Sequence, residues 1–408
     1  MSNRIFTYPW VLVGLLWVVA FLNYLDRILI TSMRDPIVSE FTLTDAQFGL
    51  LTSVFLWSYG LLSPFGGFFA DKYSRKKVIV FSVLIWSAVT LWTGFVTSFE
   101  EMLIARVIMG LSEACYIPAG LALITDYHKG KTRSLATGLH MSGLYAGLAL
   151  GGVGGYIAEL WGWRYGFQVF GLFGIIYSFI LLYVLKDYTA TREEAVLTES
   201  ESKEPISLLG SLKVLFSERS FFVLLFYFCV LGMVNWLVYG WLPTFLKDHF
   251  HLNLGEAGIS ATSYIQVGSF IGVIVGGILA DRWARKTEKG RLYMVVIGFS
   301  LGAPFLFLMA STQIFSLAIL AMLIFGLARG FNDANLMPIL RQVIDGRYIA
   351  TGYGFLNFLS TIIGGGMVYI GGALKDAQVD LSIVYQVSAV LMLLATFSLL
   401  FVKPKNAS

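Results

Sequence analysis

The stretch Gly67-Phe-Phe-Ala-Asp71-Lys-Tyr-Ser-Arg75-Lys-Lys77 returns about 210 positions later as Gly277-Ile-Leu-Ala-Asp281-Arg-Trp-Ala-Arg285-Lys286. Each copy follows one apolar run and precedes another, so each is predicted to be a short charged turn between two hydrophobic helices. A charged turn that recurs half a chain length later indicates a protein built from two related halves.

The composition predicts that the chain lies in a membrane. Of its 408 residues, 57% are hydrophobic and 13% are charged, and the mean hydropathy is +0.74. A soluble domain carries roughly 25% charged residues and could not keep this much apolar surface out of water. Parallel repeats of several membrane helices are one construction of secondary transporters. We therefore predict an all-α membrane protein with twelve transmembrane helices in two pseudo-symmetric six-helix bundles.

Twelve apolar segments are long enough to span a bilayer. They lie near 10–31, 48–70, 77–97, 102–124, 135–158, 165–185, 220–245, 258–280, 291–311, 314–338, 350–372 and 382–402. The predicted N-terminal bundle is 1–186, the C-terminal bundle is 220–408, and 187–219 is a cytoplasmic linker whose polar composition predicts a flexible connection. The first segment is too long for the apolar region of a signal peptide, so we expect it to remain as a membrane helix.

The basic residues predict the orientation of the chain. With the N-terminus inside, the inner loops and tails hold 22 Lys and Arg residues, and the outer loops hold four: Arg34, Arg164, Lys247 and Lys375. Both termini are therefore predicted to be cytoplasmic. The net charge of +4 reflects this topology rather than affinity for nucleic acid. Both cysteines fall within helices, so no disulfide framework is indicated.

Two further pairs of motifs align between the halves. They are Gly110-Leu-Ser-Glu113 with Gly326-Leu-Ala-Arg329, and Arg133-Ser-Leu-Ala-Thr-Gly138 with Arg347-Tyr-Ile-Ala-Thr-Gly352. With these repeats the chain resembles the major facilitator superfamily over essentially its whole length. That family's inner-loop signature is G-x-x-x-D-(R/K)-x-G-R-(R/K). Both charged turns match it, except that Ser74 and Ala284 replace the last glycine, which weakens the demand for a tight turn but keeps the charges.

Two subfamilies are similar to this chain. The segments Asn23-Tyr-Leu-Asp26-Arg27 and Gly110-Leu-Ser-Glu113 resemble the anion:cation symporters, which move sugar acids and other organic anions. The same segments, with Ser63-Pro-Phe-Gly66 and Gly302-Ala-Pro-Phe-Leu-Phe, also resemble the Spinster transporters of lipids. The first resemblance implies proton-coupled symport of a small organic anion. The second implies a proton-coupled carrier of a lipid or lysophospholipid.

Six ionisable residues fall at membrane depth: Asp26, Arg27, Arg106, Glu113, Arg329 and Asp333. Each costs at least ~2.5–3.5 kcal/mol at a helix centre, so such residues usually face a cavity and serve a function. The symporter resemblance places the proton-coupling acids at Asp26 and Glu113. The alternative is a permanent ion pair, for example between Glu113 and Arg27.

Arg27 is predicted to bind the anionic substrate, because its planar guanidinium fits a carboxylate bidentately and stays charged. The alternative is that Arg27 only neutralises Asp26 or Glu113. Asn23 lies one helical turn away on the same face and is predicted to contact a hydroxyl group of the substrate. Tyr24 either makes such a contact from an adjacent face or only packs.

Other polar residues at the same depth are predicted to line a wet central cavity between the halves, where this fold binds its substrate. They are His140, Asn235, Tyr239, Asn335 and Asn357. The alternative for His140 is a hydrogen bond between two helices. The remaining charges are assigned structural roles. Arg106, in the signature Arg106-x-x-x-Gly110, is expected to bind carbonyl groups of a neighbouring helix; the alternative that the resemblance implies is a role in proton transfer. Arg329 and Asp333, four residues apart, are expected to pair.

The charged turns are predicted to form a gate, with residues Gly67, Asp71, Arg75, Asp126, Gly277, Asp281 and Arg285. In the resembled family the turn aspartate meets the N-terminus of a helix in the opposite half, where the helix dipole favours negative charge. That helix begins near Tyr348 for Asp71 and near Ser134 for Asp281. Arg75 is expected to pair with Asp126. These contacts would close the inner side while the outer side is open.

The sequence gives no sign of catalysis or of ATP-driven transport. No soluble segment exceeds roughly 35 residues, and the chain lacks a nucleophile–base cluster, a metal-ligand cluster and a P-loop pattern. We therefore expect a transporter without cofactors, whose partners are its small-molecule substrate, protons and membrane lipids. Short loops favour a bacterial inner-membrane protein. A monomer is expected, because one chain contains both halves of a transport pathway.

Overall fold

The structure is a computed structural model, and it describes residues 8–129, 132–188, 208–345 and 348–403. Twelve helices are long and apolar enough to cross a membrane, and we number them α1 to α12. In order they are Tyr8–Ser32, Asp45–Lys72, Arg75–Thr93, Phe99–Tyr127, Arg133–Trp161, Trp163–Val184, Arg219–Phe250, Leu254–Ala284, Gly290–Ser311, Phe315–Val343, Ile349–Asp376 and Leu381–Phe401. No strand occurs within those ranges.

The prediction of an all-α membrane fold is confirmed. Each predicted segment corresponds to one helix, and no helix end differs from its predicted position by more than five residues. Polar loop residues fix several of the starts. The side chains of Thr44, Ser74, Ser98 and Asn253 each accept the backbone N–H three residues later, which caps α2, α3, α4 and α8.

Three local features differ from the prediction. Within the linker that was predicted to be a flexible connection, Leu208–Ser217 form a helix just before α7. A short helix, Arg34–Phe41, follows α1. Two membrane helices are also interrupted: α4 breaks directly after Glu113, and a 3-10 turn, Gly151–Val153, breaks α5. Hydropathy alone does not reveal such breaks, because the residues around them are as apolar as the rest of the span.

The two bundles are built on the same close packing. A Cβ at Gly110 of α4 would clash with the carbonyl oxygen of Phe55 on α2. A Cβ at Gly326 of α10 would clash in the same way with the carbonyl oxygen of Ile265 on α8. Phe55 and Ile265 are themselves 210 positions apart, as are the charged turns. Glycine therefore lets the backbones approach at equivalent places in both halves.

Among the described residues the halves meet mainly through two helix pairs, α2 with α11 and α5 with α8, and the end of α1 also packs against α7 and α8. We call the side of the membrane with the charged turns the turn side, and the opposite side the far side. Near the far side a Cβ at Gly152 of α5 would clash with the backbone of Gly258 on α8. Toward the turn side a Cβ at Gly138 of α5 or Gly354 of α11 would meet no heavy atom within 4 Å. The space between the halves therefore opens to the turn side.

Candidate functional site

A buried ion pair joins α1 to α4 in the first half. Arg27 Nε donates to Glu113 Oε2 at 2.7 Å, and Arg27 Nη2 donates to Asn23 Oδ1 at 2.9 Å. Arg27 is 3% exposed and Glu113 is fully buried. The ion pair that the sequence left open as an alternative is thus present in this state, and it ties the predicted substrate-binding residue to a predicted proton carrier.

Aromatic rings surround the guanidinium of Arg27. Its central carbon lies 4.5 Å from the ring centre of Tyr24, 4.3 Å from that of Tyr59 and 5.4 Å from that of Phe55. Such cation–π contacts are strongest where water is excluded. Tyr59 and Phe55, four residues apart on α2, were not predicted as part of the site. Their spacing places them on one helix face, which is the signal that could have found them.

Asp26 faces away from Arg27, toward α3. Its Oδ2 lies 3.4 Å from Thr90 Oγ1, its Oδ1 has no hydrogen-bond partner in the described part of the chain, and the residue is 2% exposed. Arg106 is also buried, and its Nε donates to the carbonyl oxygen of Leu51 on α2 at 3.1 Å. This geometry matches the structural role expected for Arg106.

A second charged cluster lies in the other half and reaches across to the first. Arg329 on α10 contacts the Tyr239 hydroxyl on α7, which Gln266 Nε2 of α8 approaches to 2.9 Å. Arg329 Nε and Asp333 Oδ2 are 3.8 Å apart, an ion pair too long for a hydrogen bond. Asp333 Oδ2 instead accepts the hydroxyl of Tyr145, on α5, at 3.2 Å. This bond joins the two halves in the middle of the molecule.

Two predicted cavity residues lie elsewhere. His140 is fully buried within the first bundle, where its Nε2 is 2.8 Å from the Tyr116 hydroxyl. Asn335 is fully buried in the second bundle, where its Nδ2 donates to the carbonyl oxygen of Phe331. Neither has accessible surface toward the space between the halves. Asn235 and Asn357 are half-buried, as a cavity lining requires.

The far side is closed by two carboxylates that bind helix N-termini across the halves. Asp376, at the end of α11, accepts the N–H groups of Asp45 and Ala46 at the start of α2, each at 2.8 Å. Glu159, at the end of α5, accepts the N–H of Leu254 at the start of α8, at 2.6 Å. Helix N-termini favour negative charge. We call this pair of contacts the far-side latch.

Ion pairs across the halves reinforce this closure. Lys247 Nζ of α7 lies 2.6 Å from Asp35 Oδ2, and Lys375 Nζ of α11 lies 3.8 Å from Asp45 Oδ2. The sequence counted these two lysines only as outer-loop charges. Pairing across the halves depends on which helices meet, and nothing local in the sequence reports that.

Residues 16–369 match the family model of the Major Facilitator Superfamily. The chain belongs to this superfamily. It is therefore a multi-pass membrane transporter and not an enzyme, and small molecules are its substrates. The prediction drawn from the repeated motifs is confirmed.

Individual members of the superfamily and a solved structure are similar over most of the chain. The probable sulfoacetate transporter of Cupriavidus necator is 25% identical, with 99% of this chain and 96% of the relative covered. The probable galactarate/D-glucarate transporter of Escherichia coli is 25% identical, with 85% and 84% covered. A bacterial homologue of the human lysosomal transporter Spinster, solved in an inward-facing and occupied conformation, has a TM-score of 0.81 at 20% identity, with all of both chains covered.

The superfamily's signature residues on the turn side form contacts within each half. Arg75 contacts Asp126, as expected. Asp281, which was expected to meet the start of α5, is 60% exposed on its side chain and lies 2.5 Å from Arg291 of its own half. Gly67 and Asp71 lie within α2, but the surroundings of Gly67 and the side chain of Asp71 are outside the described part of the structure. Contacts between the turn aspartates and the opposite half therefore remain a prediction for the state that closes the turn side.

Proposed function

We propose that this protein is a proton-coupled symporter of a small organic anion of the sugar-acid class, working by alternating access. The observation that carries the proposal is the buried ion pair between Arg27 and Glu113. Removing one partner of a buried pair leaves an uncompensated charge, which is strongly unfavourable. A proton on Glu113 would leave Arg27 uncompensated, and an anionic substrate would restore the balance. Proton and anion are thereby favoured together.

Asp26 is the second proposed proton carrier. Among the described residues no Lys, Arg or His nitrogen lies within 4.0 Å of its carboxylate, although it is as buried as its neighbour Arg27. An unpaired charge in a low-dielectric interior is costly, and a proton removes that cost. Protonation of Asp26 would alter its contact with Thr90, and through that contact the packing of α1 against α3.

The state of the molecule fits the inward-open half of a transport cycle. The far-side latch is closed and the turn side is open, and the positive-inside distribution supports a cytoplasmic position for the turn side and both termini. We propose a bacterial inner-membrane protein that functions as a monomer. In the opposite state the latch would release, and Asp71 and Asp281 would bind the starts of α11 and α5.

The relatives support the substrate class. Sulfoacetate, galactarate and glucarate, named for two of them, are all small organic anions. The guanidinium of Arg27 lies among the aromatic rings of Tyr24 and Tyr59, a setting suited to a planar carboxylate beside an apolar carbon chain.

The proposal is tested with purified protein in liposomes that contain a pH-sensitive dye. Galactarate, glucuronate or sulfoacetate is added outside at an inward proton gradient, and anion uptake and internal acidification are recorded together. Wild-type protein should accumulate the anion and acidify the interior. Uptake without acidification would contradict proton symport.

Variants separate the two roles. Glu113→Gln should lose gradient-driven accumulation but keep exchange of labelled for unlabelled substrate, because a neutral side chain mimics the protonated state. Arg27→Ala should weaken substrate binding about 10- to 100-fold and reduce both activities, since a charged hydrogen bond is worth roughly 1.5–3 kcal/mol. Glu288→Gln, at an exposed loop carboxylate, is the matched control and should behave like wild type.

A lipid carrier is the second candidate, and one feature favours it. An apolar groove of about 500 Å³ opens on the outside of the first bundle between α2, α3 and α4, lined mainly by Phe69, Tyr73, Phe81 and Ile85. Such a groove suits an acyl chain. Transfer of a labelled lysophospholipid across the same liposomes, with no anion uptake, would establish this candidate and reject the symporter.

A further inference from the structure

Each half has one arginine in an equivalent contact between two of its helices. In the first half the arginine is on α1, and in the second half it is on α10. Asn23-Tyr-Leu-Asp-Arg27 of α1 aligns with Asn235-Trp-Leu-Val-Tyr239 of α7, and Glu113 of α4 aligns with Arg329 of α10. In the first half, Arg27 bonds to Glu113. In the second half, Tyr239 contacts Arg329 at the equivalent place. Each half therefore holds one guanidinium at this position.

Arg329 is less satisfied than Arg27. A guanidinium has five N–H donors. Those of Arg27 bind a carboxylate at 2.7 Å and an amide oxygen at 2.9 Å, under three aromatic rings. Arg329 Nε is buried without a hydrogen-bond partner among the residues described, and Asp333 is 3.8 Å away. The side chain of Arg329 keeps 11% of its surface exposed. A hydrogen-bond acceptor from a ligand would remove this deficit.

Both guanidiniums lie close to the interface between the halves, that of Arg27 beneath the ring of Tyr24. The ring of Tyr24 covers Arg27, and Tyr24 also packs against the cluster of Ile28, Leu148 and Tyr239. Tyr239 is the residue that contacts Arg329. Two tyrosines, one from each half, thus lie between the arginines at the interface, so a ligand between the halves that displaces the ring of Tyr24 would reach both guanidiniums.

We propose that the substrate carries two anionic groups, one bound by Arg27 and the other by Arg329. This inference rests on the proposed transport of organic anions and narrows it to small dianions. With Glu113 and Asp333 neutralised, the two arginines present two positive charges, which a dianion balances and a monoanion does not. A ligand that bonds to both halves also draws them together, as closure of the turn side requires.

Matched ligands test this directly. Galactarate, galactonate and galactitol share six carbons and their hydroxyl configuration, and carry two, one and no carboxylates. Succinate with butyrate, and sulfoacetate with acetate, give the same comparison at shorter lengths. Binding to the full-length protein in lipid nanodiscs is measured by calorimetry. In at least one series, wild-type protein should bind the dianion at least about 10-fold more tightly than its monoanionic partner.

Variants locate the second anionic group. Arg329→Gln should lower the affinity for the dianion to that for the monoanion, with little change for the monoanion. Arg329→Lys keeps the charge and should retain part of the preference. Arg341→Gln removes an exposed arginine on the same helix, and it should change neither affinity. Thermal unfolding of each variant in the nanodisc shows whether the fold is intact.

The outcomes of these experiments distinguish the dianion inference from the proposed transport of organic anions on which it rests. Equal affinity for mono- and dianions, or equal weakening of both by Arg329→Gln in a folded variant, overturns the dianion inference and leaves anion transport standing. If no anion binds while a lysophospholipid does, the proposed function fails, and this inference fails with it. A preference for dianions that disappears only with Arg329 supports the inference.

Discussion

The far-side latch should control which side of the transporter is open. Asp376→Asn and Glu159→Gln each replace a carboxylate that binds a helix N-terminus in the opposite half. Both replacements keep the shape of the side chain and remove its charge. They should weaken the state that is closed on the far side and leave each bundle intact, because the affected bonds run only between halves.

The size of the effect follows from the contacts. The amide replacements keep one acceptor oxygen and lose the negative charge, which contributes up to about 1 kcal/mol at a helix N-terminus; Asp376 and Glu159 are both exposed, which argues against a larger value. The double variant should therefore lose up to about 2 kcal/mol of preference for the inward-open state, a factor of up to roughly 30 in the equilibrium. If wild-type protein populates the two states equally, the inward-open share falls to as little as about 3%.

Distance measurements between spin labels would show the shift. Labels at Leu135 of α5 and Ile278 of α8, which are 58% and 50% exposed, report the separation of the halves on the turn side. The native cysteines are first replaced by serine. The double variant should convert the long distances of the open turn side into short ones.

Asp248→Asn is the matched control for this experiment. Asp248 is a far-side carboxylate whose contacts, with Lys247 and Lys375, stay within the second half. The control should leave the distances unchanged. An unchanged distribution in the double variant, or an equal shift in the control, would refute the assigned role of the latch.

Three further predictions concern stability, measured by thermal unfolding in detergent. Arg106→Ala should destabilise the protein by about 3 kcal/mol or more, because it removes a fully buried guanidinium that is bound to a backbone carbonyl of α2. Gly110→Ala should cost about 1–3 kcal/mol through overpacking, whereas Gly138→Ala, with open space around it, should not. Burial raises the pKa of Asp35, but its contacts with Lys247 and then Arg34 outweigh this and hold the pKa below its usual 3.8. The folded pKa is thus the lower one, so the advantage of wild type over Asp35→Asn should be present above about pH 4 and shrink as the pH falls further.

The sequence predicted the helices and the repeat because both leave local traces. Apolar runs of membrane length report spanning helices directly, and the charged turns report the duplication without any alignment. The partner of Arg75 was also predictable, because Asp126 lies at the end of α4, a helix of the same bundle. Each of these features can be recognised from a single segment of the sequence or from comparing that segment with its repeat.

The site was only partly predictable, because its geometry depends on which helix faces meet. Nothing in the sequence chose between substrate binding and an ion pair for Arg27. The burial of His140 inside one bundle, against Tyr116, required knowledge of how α4 and α5 are rotated. By sequence, the carboxylates Glu159 and Asp376 look like any other acids at the end of a loop, but both lie at the ends of helices that meet the other half. That shared position in the repeat is the signal that was missed.

The glycine contact between Gly152 and Gly258 has a consequence for the energy economy of a cell. Backbone lies against backbone there, so at this one contact there is no gap between the halves through which water could pass. A membrane that stores a proton gradient loses energy through any continuous file of water. An added hydroxymethyl group, as in Gly152→Ser, would push α5 and α8 apart at this contact. Protons would then leak through the transporter even when no substrate is bound. The harm of such a change would show as a slow drain on the membrane potential, even in a cell that never meets the substrate.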